Sequence, residues 1–485
     1  MRVSDAYNLG ATQGSLDFVD VDITDDVPVF IDPTAIRTQH GDWAEKCQME
    51  LQTFFEELLA AIKAKDLKLT RALIYPLIEP NETHLGNSKG KSQGRGLGHN
   101  KNSERLVQAL TESKAASTGL LQDLEDTALF IERIGRDIIS DMTTCVIRGS
   151  LIEYTQQMCL FYEIPLEEQE SGPIWDHTSR KWLKSSLVKL PRGDSDKLLL
   201  VPKSIVRLRP TVDSGEYYRG YLRPYFEDEE LNQPGSSLVE VLKGGRLKVK
   251  KKKLDEKLGT TKPQHVVNSL AYPQAMDDYR KRLLEKARGP LNSGQFSEFT
   301  GTPETNYREL LNEVLSISPG AAGANPYHRA IAKLLTAMFE TSLGNEHIET
   351  ELHNGLKRID ITYDNVAGSG FFHWLGMHYR APMVVVECKN YSKEIKNPEV
   401  DQLGMRFSKN RGEVGFLTCR KPDDKATLLK RCKNVADDGH GFIILLDDDD
   451  LGVLVAEVEA DQAAGDLGQN KFTLLRERFG NLVGT

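Results

Sequence analysis

The hydrophobic positions change period along the chain, and each change predicts a different kind of element. Residues 15–36 alternate apolar and polar side chains, which predicts strands over 18–23 and 27–31. From 41 to 66 the spacing lengthens to three and four, with Leu51, Phe54, Phe55, Leu58, Leu59 and Ile62 on one helical stripe. Residues 102–162 keep that spacing through Leu106, Leu110, Leu124, Ile131, Ile138 and Met142, the pattern of helices packed in a bundle or against a partner subunit. Between 165 and 245 the apolar runs shorten and gain aromatics and prolines, which reads as a mixed α/β stretch. Gly, Pro, Ser and Thr crowd 288–304 and again 316–325, marking a boundary. Beyond it a helix is expected over 327–340, with Ile331, Leu334, Leu335 and Met338 at helical spacing. Strands follow around 348–352, 355–362, 383–386, 414–418 and 441–446, with helices over 398–409 and 424–435. The expected organisation is a helix-rich region at 1–165, a mixed region at 166–300 and an α/β domain at 320–485.

One strand carries chemistry. Met383-Val384-Val385-Val386 is apolar and rich in β-branched residues, and it runs straight into Glu387-Cys388-Lys389. Side chains alternate along a strand, so Glu387 and Lys389 share a face and Cys388 takes the other. A carboxylate and an ammonium at the exit of a buried strand cost desolvation, so their placement needs a reason. Upstream, Ile359 and Ile361 flank Asp360 in a second strand. Two carboxylates brought together by neighbouring strands, with a lysine beside them, can hold Mg²⁺ through hard oxygen ligands. The lysine can orient the attacking water and offset charge developing on a phosphate.

At these residues the chain resembles the PD-(D/E)xK nuclease superfamily, the restriction-endonuclease-like fold. Asp360 matches the first acid of that family, and Glu387-Cys388-Lys389 matches its E-x-K. The predicted order over residues 325–455, α-β-β-β-α-β-α-β, is the order of the family core. The resemblance implies an α/β chain whose C-terminal domain is a mixed β-sheet flanked by helices, preceded by a helix-rich α+β region. It implies Mg²⁺, with Mn²⁺ as the alternative ion, held by Asp360, Glu387 and the backbone carbonyl of Cys388, with Lys389 positioning water. It also implies roles for Glu340, the matching glutamate of the preceding helix, and for Gln402, which would orient substrate or the lysine.

Charge sharpens this reading. The chain carries a formal net charge of −9, which argues against nonspecific nucleic-acid binding over its whole surface. Residues 371–433, however, hold thirteen Lys/Arg against seven Asp/Glu, and residues 434–485 hold three against eleven. The basic block surrounds the proposed site, where phosphates would lie. Arg358, next but one to Asp360, and Lys393, Arg406, Lys409 and Arg411 within the block are the candidate nucleic-acid contacts.

Other features read more plainly. Six scattered cysteines without a C-x-x-C pair read as reduced, packed thiols of a cytoplasmic protein. No apolar run approaches a membrane span, and the first residues lack a signal-peptide core. Asp17, Asp20, Asp22, Asp25, Asp26 and Asp32 do not fit an EF-hand and read as solvated strand edges and turns. The Gly-rich loop at 86–98 misses the P-loop spacing by one residue and reads as a basic loop. Tyr217, Tyr218, Tyr221 and Tyr225 interleave with Arg219 and Arg223, as a packed surface or a base-stacking one would. His373 and His378, between the acid-bearing strands, read as structural loop histidines, with lining the cleft or binding a leaving group as the functional alternative. Asp447 to Asp450 read as the cap of a helix.

The resemblance thus implies a metal-dependent endonuclease acting on nucleic acid, DNA before RNA, with no membrane association. By analogy it is the nuclease effector of a prokaryotic anti-phage or restriction-type system. Its N-terminal region would sense, target or form a homo-oligomer, with a further protein of that system as a partner. An RNA- or tRNA-cleaving nuclease and a catalytically silent nucleic-acid-binding or assembly protein are the alternatives.

Overall fold

The computed structural model describes residues 1–86, 101–132, 134–193, 197–209, 211–285, 289–352, 357–391, 395, 397–408, 411–465 and 471–484, with the backbone alone at 101–102, 285, 348–352 and 357–360. The described residues are mixed α/β and build two large hydrophobic cores, one drawn from Val3 to Phe296 and the other from Phe161 and Tyr307 to Leu482, beside a small cluster of Ile152, Leu190 and Leu199. The regions 1–165 and 166–300 therefore share one core. The second core begins with the helix Tyr307–Ser316, ahead of the expected boundary at 320.

The first core is organised by helix α1 (Asp42–Lys63), whose predicted stripe is buried. Helix α2 (Arg148–Phe161) packs near it; its Ser150 backbone carbonyl accepts from Trp43 Nε1 at 3.0 Å. The predicted strand over 18–23 does not form. Asp20 turns inward, and Ser4 donates to it from N at 2.9 Å and from Oγ at 2.6 Å, whereas Asp22 stays at the surface and pairs with the Met1 amine at 3.0 Å. Asp32 accepts from the Thr34 amide at 3.0 Å. Asp17, Asp20 and Asp32 are thus buried anchors and not solvated edges. Of the second predicted strand only Phe30–Ile31 forms a ladder, antiparallel to Val206–Arg207. Tyr217 and Tyr218 are buried, and Tyr218 stacks on His265 with ring centroids 4.9 Å apart, so this aromatic run is packing. The Gly-rich loop at 87–98 lies outside the described residues.

The second core surrounds a five-stranded sheet. Helix α3 (Ala324–Met338) leads into β1 (Leu343–Leu352) and β2 (Lys357–Asn365), then α4 (Gly370–His378), β3 (Met383–Lys389), α5 (Asn397–Gly404), β4 (Val414–Cys419), α6 (Lys425–Asp437), β5 (Phe442–Leu446), α7 (Asp448–Ala463) and α8 (Thr473–Val483). The expected elements occur in the expected order, with α4 inserted before β3. The strand order is β5-β4-β3-β2-β1. β1, β2 and β3 run antiparallel, whereas β3, β4 and β5 run parallel. The parallel strands are apolar without alternation because helices cover both faces. Phe339, Phe372, Phe416 and Phe472 interlock beneath the helices, with Phe339 and Phe472 centroids 5.0 Å apart. Asp447 caps α7 by accepting from the Asp450 amide at 2.9 Å, as the acidic run predicts.

Polar groups join the two cores. Glu346 donates its amide to Asp17 Oδ2 at 2.9 Å, and Tyr154 donates its hydroxyl to the same oxygen at 2.7 Å. Asn345 Nδ2 donates to Gln39 Oε1 at 2.7 Å and to Asp364 Oδ2 at 2.8 Å, while Ser204 donates to Asn345 Oδ1 at 2.6 Å. Burial, with Asp17 nearby, pushes Glu346 up to about 8, and burial pushes Asp364 up to about 7.

Candidate active site

The site is built at the C-terminal end of β3. In the β2–β3 ladder Ile361 faces Val386 and Thr362 faces Val385, so one further step of the same register sets the Asp360 backbone across from Glu387. Two chain positions 27 residues apart thereby come to adjacent strands. The side chain of Asp360 lies outside the described residues, as does that of Arg358.

Glu387 is only 2 % exposed. Lys389 donates to its Oε1 at 2.6 Å, which is the same-face pairing expected of positions i and i+2 on a strand. Arg406, from the turn after α5, forms an ion pair with Oε2. Both oxygens of this buried carboxylate therefore meet a cation, which offsets the cost of desolvating it. Cys388 stands half-buried on the opposite face against the second core, and its backbone is in register with Thr418 of β4. Thr418 donates to the Glu387 carbonyl at 3.3 Å.

The strand exit is held in place. Asn390 donates from Nδ2 to the carbonyls of Ser318 and Gly320 at 3.0 and 3.1 Å, and its own carbonyl accepts from the Gly320 amide at 2.7 Å. These bonds tie β3 to the loop that opens α3. Lys389 Nζ lies 5.7 Å from the centroid of the half-exposed Tyr391 ring.

Glu340 is not part of this site. Helix α3 ends at Met338, so Glu340 falls in the turn before β1, at the end of the sheet where Leu343 meets Asn365. Its Oε1 accepts from Ser293 N at 2.8 Å and Oγ at 3.0 Å, and its Oε2 lies 3.8 Å from Lys203 Nζ. It serves the seam between the cores. Gln402 is exposed on α5, and Arg411 Nη2 donates to the Arg406 carbonyl at 3.4 Å. Lys393 and Lys409 lie outside the described residues. His373 and His378 sit on α4, near the Met383 end of β3, and line a separate groove.

Of the expected metal ligands, Glu387 has both oxygens on cations, and the Asp360 side chain lies outside the described residues. Among the described residues no three His, Cys, Asp or Glu side chains converge on a metal position. Arg406 was legible as a basic residue of the block, but its pairing with Glu387 was not.

A family model described only as a domain of unknown function, DUF8370, matches residues 8–213. The match falls within the first core and ends before the sheet begins. No curated protein matches the chain. No solved structure matches it either. Among the described residues no helix is long and apolar enough to cross a membrane.

Proposed function

We propose that the C-terminal region is a PD-(D/E)xK-type endonuclease that hydrolyses phosphodiester bonds of nucleic acid, DNA before RNA. The β2–β3 register carries this reading: continued one step beyond Ile361 and Val386 it would face Asp360 with Glu387, at a strand end where Lys389 reaches that carboxylate at 2.6 Å. Asp360, Glu387 and the Cys388 carbonyl would hold Mg²⁺, which when bound polarises a phosphate oxygen and lowers the pKa of water. Lys389 is 13 % exposed, enough to reach a water or a phosphate oxygen while Glu387 fixes its direction. Its ammonium offsets charge developing on the phosphorane oxygens. Arg406 supplies a second cation to the same space and can pass from Glu387 to a phosphate. The Asn390 bonds hold the strand exit rigid, so these groups keep their geometry.

By analogy the first core, which carries the matched domain, senses a trigger, selects a target or assembles copies of the chain, in the manner of a defence effector. The test is cleavage of plasmid DNA and of total RNA by the purified full chain, with Mg²⁺ or with chelator, beside Glu387→Ala/Lys389→Ala. Mg²⁺-dependent cutting that the double variant lacks supports the reading and identifies the polymer. Metal-independent cutting, or cutting that survives both substitutions, rejects it.

A further inference from the structure

A groove of about 950 Å³ opens between the two cores, at the far end of β3 from Glu387. Pro382 on its wall and Lys389 are separated by the length of the strand, roughly 20 Å. The first core contributes the segment from Ala35 to His40, with Arg207 and Leu284. The second contributes the β2–α4 connection, α4 itself and the approach to β3.

The lining is chemically one-sided. Its ionisable side chains include Arg37, His40, Arg207, His373, His378 and Arg380, and among the described residues it contains no Asp or Glu, in a chain with 71 acids. Three of the eleven histidines meet here. The carboxylates that fix two of the arginines stand outside the lining: Asp123 and Glu125 on Arg37, and Glu413 on Arg380 at 3.2 Å. Those pairings hold the planar forks in position and leave further N–H donors on each guanidinium. Arg207 is buried and held by backbone, its Nη1 donating to the carbonyls of Ser204 and Val206 at 2.9 and 2.7 Å. A wall of N–H donors with its carboxylates set behind the arginines is suited to phosphate oxygens, with Arg207, the histidines and the outward N–H groups facing the groove.

Size and apolar contacts narrow the ligand. The volume is at the upper end of the range for small-molecule sites. Leu284 from the first core and Met377 from the second, 50 % and 67 % exposed, line the groove and offer contact to a flat apolar group. We propose that this groove binds a nucleoside polyphosphate, with the phosphates on the Arg and His side chains and the base against Leu284 and Met377. The site is independent of the proposed nuclease centre. Because its walls come from both cores, the bound ligand ties them together.

The experiment is calorimetric titration of the full chain with each of the four common nucleoside triphosphates, with adenosine as the uncharged control. The variants are Arg380→Glu and His373→Ala/His378→Ala, at exposed positions, with folding checked by thermal melting. Saturable one-to-one binding of a triphosphate is expected, with adenosine silent and each variant about tenfold weaker or worse, as loss of a charged hydrogen bond implies. Four outcomes overturn the proposal: no triphosphate binds, adenosine binds as well as ATP, folded variants of both kinds bind as wild type does, or binding is lost only with Lys89→Ala/Lys91→Ala in the Gly-rich loop.

Discussion

Lys389 donates to Glu387 Oε1 at 2.6 Å across two positions of one strand, and this pair stands at the end of a run of buried valines. Removing the ammonium leaves Arg406 on the other oxygen, so the carboxylate keeps a partner. Lys389→Ala is therefore expected to fold and to lose about 10²-fold or more in cleavage, the scale set by removing one charge-stabilising donor. Single-turnover cleavage beside a melting curve checks both halves. A folded variant with wild-type cleavage would place the chemistry elsewhere.

Arg406→Ala removes the other partner of a carboxylate that is 2 % exposed. Leaving a buried charge wholly unpaired costs about 3–5 kcal/mol, and with Lys389 still on Oε1 the loss here is a fraction of that. The apo protein should therefore melt earlier. Mg²⁺ should then restore more stability to the variant than to wild type, because the ion replaces the lost cation. Melting with and without Mg²⁺ reads the difference directly, and equal Mg²⁺ shifts in the two proteins would show that the ion does not bind at Glu387.

Glu346 gives the seam a pH dependence. Burial raises it from 4.5 to about 8, so the folded chain holds a proton that the unfolded chain releases near 4.5. Its contribution to stability is complete below that lower value and is lost as pH rises toward 8. Glu346→Gln keeps the shape and cannot ionise, so its stability should fall less over this range, by on the order of a few kcal/mol. Denaturant unfolding at a series of pH values tests the sign, and a steeper fall in the variant would contradict it.

Gly41 precedes α1 with an ordinary φ of −86°, so backbone strain is not the issue there. A Cβ added to it would come within 1.9 Å of Asp364 Oδ1, a buried carboxylate of β2. Gly41→Ala must push the first core away from the sheet and should destabilise the chain by about 1–3 kcal/mol. An unchanged denaturation midpoint would mean that the seam yields freely.

The sheet was legible because β3, β4 and β5 are short runs of β-branched and large apolar residues bounded by turns. Their burial on both faces leaves that mark in any sequence. The pairing of the two acid-bearing strands was legible as neighbouring apolar segments, although the helix Gly370–His378 that connects them was not. Glu340 misled because its spacing continues the apolar stripe of α3, although the helix ends two residues earlier and the chain has already turned toward Lys203. Asp17 and Asp20 misled because an aspartate in an alternating segment looks the same whether its partner is water or a buried amide. The partners of Asp17 lie 137 and 329 residues away, beyond any local pattern. The groove lined by His40, His373 and His378 was hidden likewise, since only the meeting of the cores assembles it.

The longest of those links sets an order of events during synthesis. Asp17 leaves the ribosome early, and the amide that completes its shell, that of Glu346, is made 329 residues later. Until then the first core carries a buried acid short of one donor, together with a Gln39 whose Asn345 partner does not yet exist. A nascent chain arrested before β1 is therefore an unfinished object even though its own hydrophobic core is fully encoded. Maturation of the amino-terminal half waits on β1, the edge strand of the sheet that carries the candidate catalytic groups, so the part that would sense and the part that would cut reach their final form together.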